Sequence, residues 1–509
     1  MVWHRSPIVF NTLQEYNRLA LEPIHRPGDN PLPFILIIIV TWNKKKDVLN
    51  LLEALSKVDY PPDRFETLLV DNASTDGTVE TVRPRHPHVH ILQHRENPGG
   101  SGGFNAGMRW ALTNRPQADY FWLLDNDVLV APESLRTLVH VLESHPDAAV
   151  CGSKILDQQN PENLIEVGAF IDYRRGDIRQ NCGDPRQGQG FDSIEEVDYV
   201  AACSLLVRTS AVRTVGLLQE DFFIYWDDME WGARFKACGY RVLASHDSVV
   251  FHPSWAGRAA DKTVVWRTYY RARNGLCFFN HYCHGLKRRL LLGRMILRFH
   301  FLGVSTCLRS ETALSEAFSL AVDDFFRGRF GKKNLALPES DLRRFLQTRQ
   351  SRCVFVFLPQ EKLIERAEPL FEQLLDQKSI ARICLIAPEG KTFGRRPFLR
   401  PIDILTFRQP DSNNIDTIDT MRILSSVWRN REKRSLLITP PVTPRFFSLT
   451  GLPIARIDFE KGKTVAIEQF SLRLLLQAPF RALHDVFRAL LTTPGRIRPV
   501  PGAGCSDPS

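Results

Sequence analysis

Asp125-Asn126-Asp127 closes the apolar run Tyr120-Phe-Trp-Leu-Leu124, and two carboxylates one residue apart in an extended chain project to the same side. Such a pair suits a hard divalent cation, Mn2+ or Mg2+, which takes carboxylate oxygens together with those of a diphosphate. Further along, Trp226-Asp227-Asp228-Met229-Glu230 sets three carboxylates just before a helical stretch. The dipole of a helix start accounts for one acid but not for three. Adjacent acids disfavour simultaneous ionisation, which gives one of them the raised pKa of a general base. Trp226 offers a flat apolar surface that either stacks on a sugar ring or serves as a core indole. His252 ends the apolar run Val249-Val-Phe251, and an imidazole suits Mn2+ as well as a carboxylate does. A metal grip with a candidate base is equipment for transfer chemistry.

The elements that would position these groups follow from periodicity. Phe34 to Val40 is continuous and β-branched, as in a strand buried on both faces of a parallel sheet. A helix over 46–56, a strand over 65–70 and a turn from Asp71 to Gly77 follow, with Ser74, Thr75 or Asp76 available to cap the next helix. A short strand over 88–92, the Gly-rich run Asn97 to Asn105, a helix over 106–113 and a strand over 120–124 continue the alternation, which predicts a βαβ sheet. Ligands collect beyond the carboxyl ends of such strands, where these polar clusters fall. The run Gly99-Gly-Ser-Gly-Gly103 follows the third strand and lacks a dinucleotide-binding G-x-G-x-x-G; close approach to a ligand or a tight turn explains it better. A helix over 229–238 ends at Gly239.

The expected divisions are an N-terminal segment 1–33, a catalytic domain 34–260, a helical extension 261–335, a smaller α/β domain 351–493 and a flexible tail 494–509. In the extension, Gly285 to Phe301 sets Lys287, Arg294 and Arg298 on one side and Leu292, Met295, Ile296 and Phe299 on another. Near the end of the chain, Phe480, Leu483, Phe487 and Leu490 share a side from which Arg481 and Arg488 are excluded. Both stretches fit peripheral contact with an anionic membrane and are too short to span one. At 509 residues, with 43% hydrophobic and 24% charged residues, the chain reads as a multidomain globular protein. Its formal charge of +9 favours an anionic partner. The start shows no secretory pattern, and ten cysteines without a C-x-x-C pair predict reduced, buried thiols, hence a cytoplasmic protein. Cys277 and Cys283, near His281 and His284, match no zinc spacing.

Taken in order, Val40-Thr-Trp-Asn43, Val70 to Asp76, Asn97 to Gly107, Asp125-Asn-Asp127, Trp226 to Glu230 and Phe251-His252 resemble family 2 glycosyltransferases of the GT-A fold. The likeness is strongest to bacterial galactofuranosyltransferases and rhamnosyltransferases, and it covers about 34–331. It implies a Rossmann-like nucleotide-sugar domain with Asp125, Asp127 and His252 on the metal, and with Thr41, Asn43, Asp71 and Asn72 on the nucleoside. It further implies Asp228 as the base, with Asp227 and Glu230 positioning the acceptor, beside which the flat Trp226 surface would stack. The activity so implied is inverting transfer from UDP-galactofuranose or dTDP-rhamnose to a lipid-linked glycan, with no nucleic acid involved. The rival readings are a nucleotidyltransferase or other nucleotide-sugar enzyme, and a non-catalytic glycan-binding or scaffold protein.

Overall fold

The computed structural model describes residues 32–180, 194–253 and 262–335, then 342–349 and separate segments between 353 and 492. The expected N-terminal segment, apart from 32 and 33, and the whole of the expected tail lie outside the described residues. The first sheet runs β1 (Ile35–Thr41), β2 (Phe65–Asp71), β3 (His90–Gln93), β4 (Tyr120–Asp125), β5 (Leu129–Val130), β6 (Ala148–Asp157), β7 (Leu164–Glu166), β10 (Ile194–Glu196), β11 (Ser204–Arg208) and β12 (Arg241–His252) in chain order. Between β7 and β10, β8 (Ala169–Asp172) and β9 (Asp177–Gln180) form a separate hairpin. The order across the main sheet is β10-β12-β6-β11-β4-β1-β2-β3. Every residue of β1 is buried, as its unbroken apolar run predicts.

Topology brings the polar strand ends to one edge. β1, β2 and β4 are parallel; β11 is antiparallel to both β4 and β6, so β6 points the same way as β4, and β12 is parallel to β6. Thr41, Asp71, Asp125 and His252, the last residues of β1, β2, β4 and β12, therefore share the carboxyl edge.

The Gly-rich run is not a loop. It is the first turn of a helix, Gly99–Asn114, and the missing side chains let that turn press against the sheet. A Cβ on Gly103 would lie 2.6 Å from Val40 Cγ1. The close approach that the glycines permit is thus to this chain's own backbone and sheet.

A second sheet has the order β15-β14-β13-β16-β17-β18, from β13 (Cys353–Phe357), β14 (Arg382–Pro388), β15 (Ile402–Phe407), β16 (Ser435–Thr439), β17 (Pro453–Asp458) and β18 (Lys463–Gln469). It is parallel except for β18. The α/β class, the helical extension and the second smaller α/β unit are all present. Of residues 408–434, between β15 and β16, only 423–425 and 427 are described.

The extension contains helices Lys262–Tyr282, Gly285–Cys307 and Thr312–Phe326. Leu292, Met295, Ile296 and Phe299 are buried as expected. The basic side is less free than its sequence suggests: Arg298 pairs with Asp177 at 2.9 Å, and Arg294 donates to the Arg174 carbonyl. Gly285–Cys307 is also longer than expected. Its 23 residues suffice by length and composition to cross a membrane, which corrects the expectation of a helix too short to span, but more than half of its most apolar window is buried inside the protein. Seven described cysteines are free thiols, whereas Cys238 is disulfide-bonded and departs from the expectation of reduced thiols throughout.

Candidate active site

Strand pairing explains how the acidic pair meets the imidazole. The chain turns after Asp125 and β5 runs back antiparallel to β12, with Leu129 opposite Phe251. Asp127, two residues before Leu129, is thereby delivered to His252, one residue after Phe251. Asp127 Oδ1 lies 3.3 Å from His252 Nε2, and one ligand atom from each of Asp125, Asp127 and His252 falls within 4.8 Å of the others. Two carboxylates and an imidazole converging this closely form a donor set that fits Mn2+ or Mg2+. Burial, then the charge of Asp127, pushes the Asp125 carboxyl up to about 6. Burial acts in the same direction on Asp127, but the bond and charge of His252, with Lys44, outweigh it and hold that carboxyl below its ordinary value. Lys44 Nζ stands 3.5 Å from Asp127 Oδ2, a contact that no motif in the sequence signals.

The expected nucleoside residues gather beside this triad. Thr41 and Asp71 are in register on adjacent strands, and Val40 is in register with Asp125. Asn43 adopts a left-handed conformation, φ 53°; its N–H donates to Ser74 Oγ at 2.9 Å and its Oδ1 accepts from the Thr75 N–H at 2.7 Å. Asp71 accepts from the Ser74 N–H, and Asn72 Nδ2 donates to the Gly99 carbonyl at 2.9 Å. Thr41 Oγ1 and Asn72 Oδ1 are buried without a protein partner, polar atoms available to a ligand. Of the three candidate caps it is Asp76 that accepts from the Thr78 N–H, while its other oxygen accepts from the Lys45 N–H at 2.9 Å. Trp42, between Thr41 and Asn43, is 53% exposed, the only exposed tryptophan among the described residues.

The third group arrives on a strained loop. Phe223, Tyr225 and Trp226 have φ of 67°, 62° and 70°, a left-handed cluster with no glycine in it. Helix Lys262–Tyr282 holds it there. The amide of Asn274, fully buried, donates to the carbonyls of Phe222, Ile224 and Tyr225 at 3.0, 2.8 and 2.8 Å, and Arg273 donates to the Phe222 carbonyl at 3.1 Å. On the other side the loop abuts the glycine turn: Gly99 has φ 85°, and a Cβ there would lie 2.1 Å from the Phe223 carbonyl oxygen. Asp227, Asp228 and Glu230 then occupy the first turn of helix Asp227–Ala237. Asn274→Ala should lower stability by about 3 kcal/mol, because it strands buried carbonyls, and should misplace this turn. Urea unfolding together with a turnover assay measures both effects; a variant with unchanged stability would remove the clamp.

Asp227 Oδ2 accepts from Ser101 Oγ at 2.8 Å. Burial raises the Asp227 carboxyl, and burial followed by the charges of Asp227 and Glu166 raises Asp228 well above its ordinary value. Asp125 feels the charge of Asp227, so the two acidic groups are close enough to interact. Glu230 is otherwise engaged: Arg234 Nε donates to both its oxygens at 2.8 and 2.9 Å and the Tyr282 hydroxyl to Oε1 at 3.0 Å. Trp226 requires a correction. It is 5% exposed, its ring lies against Phe278 and Phe279, and its indole N–H donates to the Arg271 carbonyl at 3.0 Å. The core-indole alternative holds, and the surface expected for acceptor stacking is covered.

Residues 36–211 match the family described as Glycosyl transferase family 2, and the match takes in β1, β2, β4 and the Asp125-Asn-Asp127 turn. This segment is a family 2 glycosyltransferase domain. The chain is similar to galactofuranosyltransferase GlfT2 of Mycobacterium tuberculosis, 23% identical over 64% of this chain and 53% of that one. It is also similar to the N-acetylglucosaminyl-diphospho-decaprenol L-rhamnosyltransferase of M. tuberculosis, 25% identical over 54% of this chain and 94% of that one. Against the two GlfT2 proteins that it matches, the chain spans about half their length. Among solved structures, mannosyltransferase PcManGT from Pyrobaculum calidifontis, in complex with GDP-Man and Mn2+, aligns at 17% identity over 62% of this chain and 94% of that one, with a TM-score of 0.39. The matched segment thus contains Thr41, Asn43, Asp71 and Asn72, expected at the nucleoside, and the acidic pair, while His252 and the Asp227–Asp228 pair come from beyond the matched residues.

Proposed function

We propose that the protein is an inverting glycosyltransferase that moves a sugar from a nucleoside-diphosphate donor to a hydroxyl of a lipid-linked glycan. The observation that carries this reading is the Asp125–Asp127–His252 donor set together with Asp227 and Asp228, in the first turn of their helix, where the charge of Asp227 reaches Asp125. Thr41, Asn43, Asp71 and Asn72 bind the nucleoside. Asp125, Asp127 and His252 would hold Mn2+ or Mg2+, which when bound supplies counter-charge to the leaving diphosphate. Asp228 takes the proton of the acceptor hydroxyl at a carboxylate oxygen while Asp227, fixed by Ser101, orients it. Glu230 anchors that turn through Arg234 and Tyr282. No covalent intermediate is needed when a carboxylate takes the acceptor's proton, the acceptor oxygen bonds to the anomeric carbon, and the nucleoside diphosphate departs from the opposite face of the sugar. The M. tuberculosis relatives, named for galactofuranosyl and rhamnosyl transfer, favour UDP-galactofuranose or dTDP-rhamnose as donor.

A panel of nucleotide sugars tested for thermal stabilisation, with and without Mn2+, checks the donor assignment. One uridine or thymidine diphosphate sugar should raise Tm more than the free nucleotide does, and more strongly with Mn2+, because a ligand that binds only the folded state stabilises it by mass action. A panel without any stabilising nucleotide sugar would overturn the proposal.

A further inference from the structure

The C-terminal helix, Leu472–Leu491, packs along Gly285–Cys307: His300 meets Asp485 at 3.0 Å, and a Cβ on Gly293 would lie 3.7 Å from Val486. Each helix nevertheless leaves an apolar stripe without cover. On Gly285–Cys307 the stripe is Leu286, Leu290, Leu297 and Phe301, at spacings of 4, 7 and 4, and each is more than half exposed. On the C-terminal helix it is Leu476, Phe480, Leu483, Phe487 and Leu491, at spacings of 4, 3, 4 and 4. Eleven of the thirteen exposed large hydrophobic side chains among the described residues lie on these two helices or, as Leu308 does, directly after the first. Scattered exposure needs no explanation; concentration on one helix pair does.

Charge identifies the occupant. Gly285–Cys307 contains no acid, and Lys287 and Arg289 are exposed on it. The C-terminal helix exposes Arg481, and its single acid, Asp485, is turned inward to His300. The nearby Asp177 is already paired with Arg298. Apolar stripes bordered by free cations and by no free acid of their own helices are complementary to an anionic lipid surface. Self-association through the same face would bring like charges together. Gly285–Cys307 buries Leu292, Met295, Ile296 and Phe299 in the protein, so it would lie on the surface of the bilayer.

We infer that the exposed stripes of these two helices form a docking face for an anionic membrane. The inference relocates the contact from Arg294 and Arg298, which the β8–β9 region holds, to the leucines and phenylalanines with Lys287, Arg289 and Arg481. It does not depend on the chemistry at the catalytic site.

The test is co-sedimentation of the full chain with phosphatidylcholine vesicles, with and without phosphatidylglycerol. Binding should require phosphatidylglycerol, weaken as salt rises, and fall about tenfold or more in Phe480→Ser/Phe487→Ser and in Arg289→Glu/Arg481→Glu. Because all four side chains are surface groups, both variants should keep the wild-type Tm, which confirms that they fold. Binding to neither vesicle, equal binding to both, or wild-type binding by the two folded variants would overturn the inference. So would a concentration-dependent dimer abolished by both variants with no vesicle binding, an outcome that would assign the face to a second copy of the chain.

Discussion

Asp127→Ala should reduce Mn2+-dependent sugar transfer by about three orders of magnitude, since counter-charge on a leaving diphosphate is worth several kcal/mol and each decade of rate is 1.36 kcal/mol. Asp127 is the hub of its cluster: one oxygen faces His252 and the other Lys44. Its removal takes one carboxylate from the donor set and releases Lys44, which retains Asp47 at 3.2 Å. The fold should survive, because Asp127 sits beyond the end of β4 and the core strand Tyr120 to Leu124 stays intact. Two measurements separate a lost site from a lost fold: circular dichroism should be unchanged, and the rise in Tm that Mn2+ gives the wild type should disappear. Wild-type transfer by the variant in the presence of EDTA would sink the metal assignment.

How far the sequence leads depends on the range of the signal. Strand-end acids after an apolar run are a local pattern, so Asp125, Asp127 and the two parallel strands beside them could be read directly. What brings His252 to Asp127 is the pairing of the two-residue strand β5 with β12, too short to leave any periodicity. Lys44 and Ser101 escaped notice for a similar reason: a single lysine or serine carries no pattern, and their partners, Asp127 and Asp227, lie 83 and 126 residues away in the chain. Trp226 shows the limit in the other direction. An indole beside acids fits a sugar platform and a core position equally, and the choice is made by Phe278 and Phe279 on a helix that begins far downstream. The positive φ of Phe223, Tyr225 and Trp226 is invisible because none of them is glycine; Asn274 and Arg273 impose it. In the second sheet, β17 opens on Pro453 and buries Arg456, two residues that disguise a strand in the sequence.

Asp228→Asn should lower turnover by about 100-fold or more while donor binding persists, because the amide keeps the shape of the carboxylate and cannot accept the acceptor's proton. The raised proton affinity of Asp228 fixes the sign of two pH effects. Burial first, then the charges of Asp227 and Glu166, disfavours its ionised form in the folded protein. Wild-type turnover should therefore fall as pH drops through a value above the ordinary carboxylate range, and that limb should be missing from the residual activity of the variant. Stability runs the other way. Over the window between the unfolded and folded pKa values the folded state holds more protons, so wild-type stability is fully present below the unfolded value and is lost as pH rises through the folded one. Asparagine removes that loss, and at neutral pH the variant should unfold at a higher urea concentration than the wild type. A residue kept at a cost in stability and needed for turnover is the expected signature of a working acid–base group. Near wild-type turnover in the variant would move the search to Asp227, and lower stability at neutral pH would mean that the ionised Asp228 carboxylate stabilises the folded protein, against the direction its burial sets.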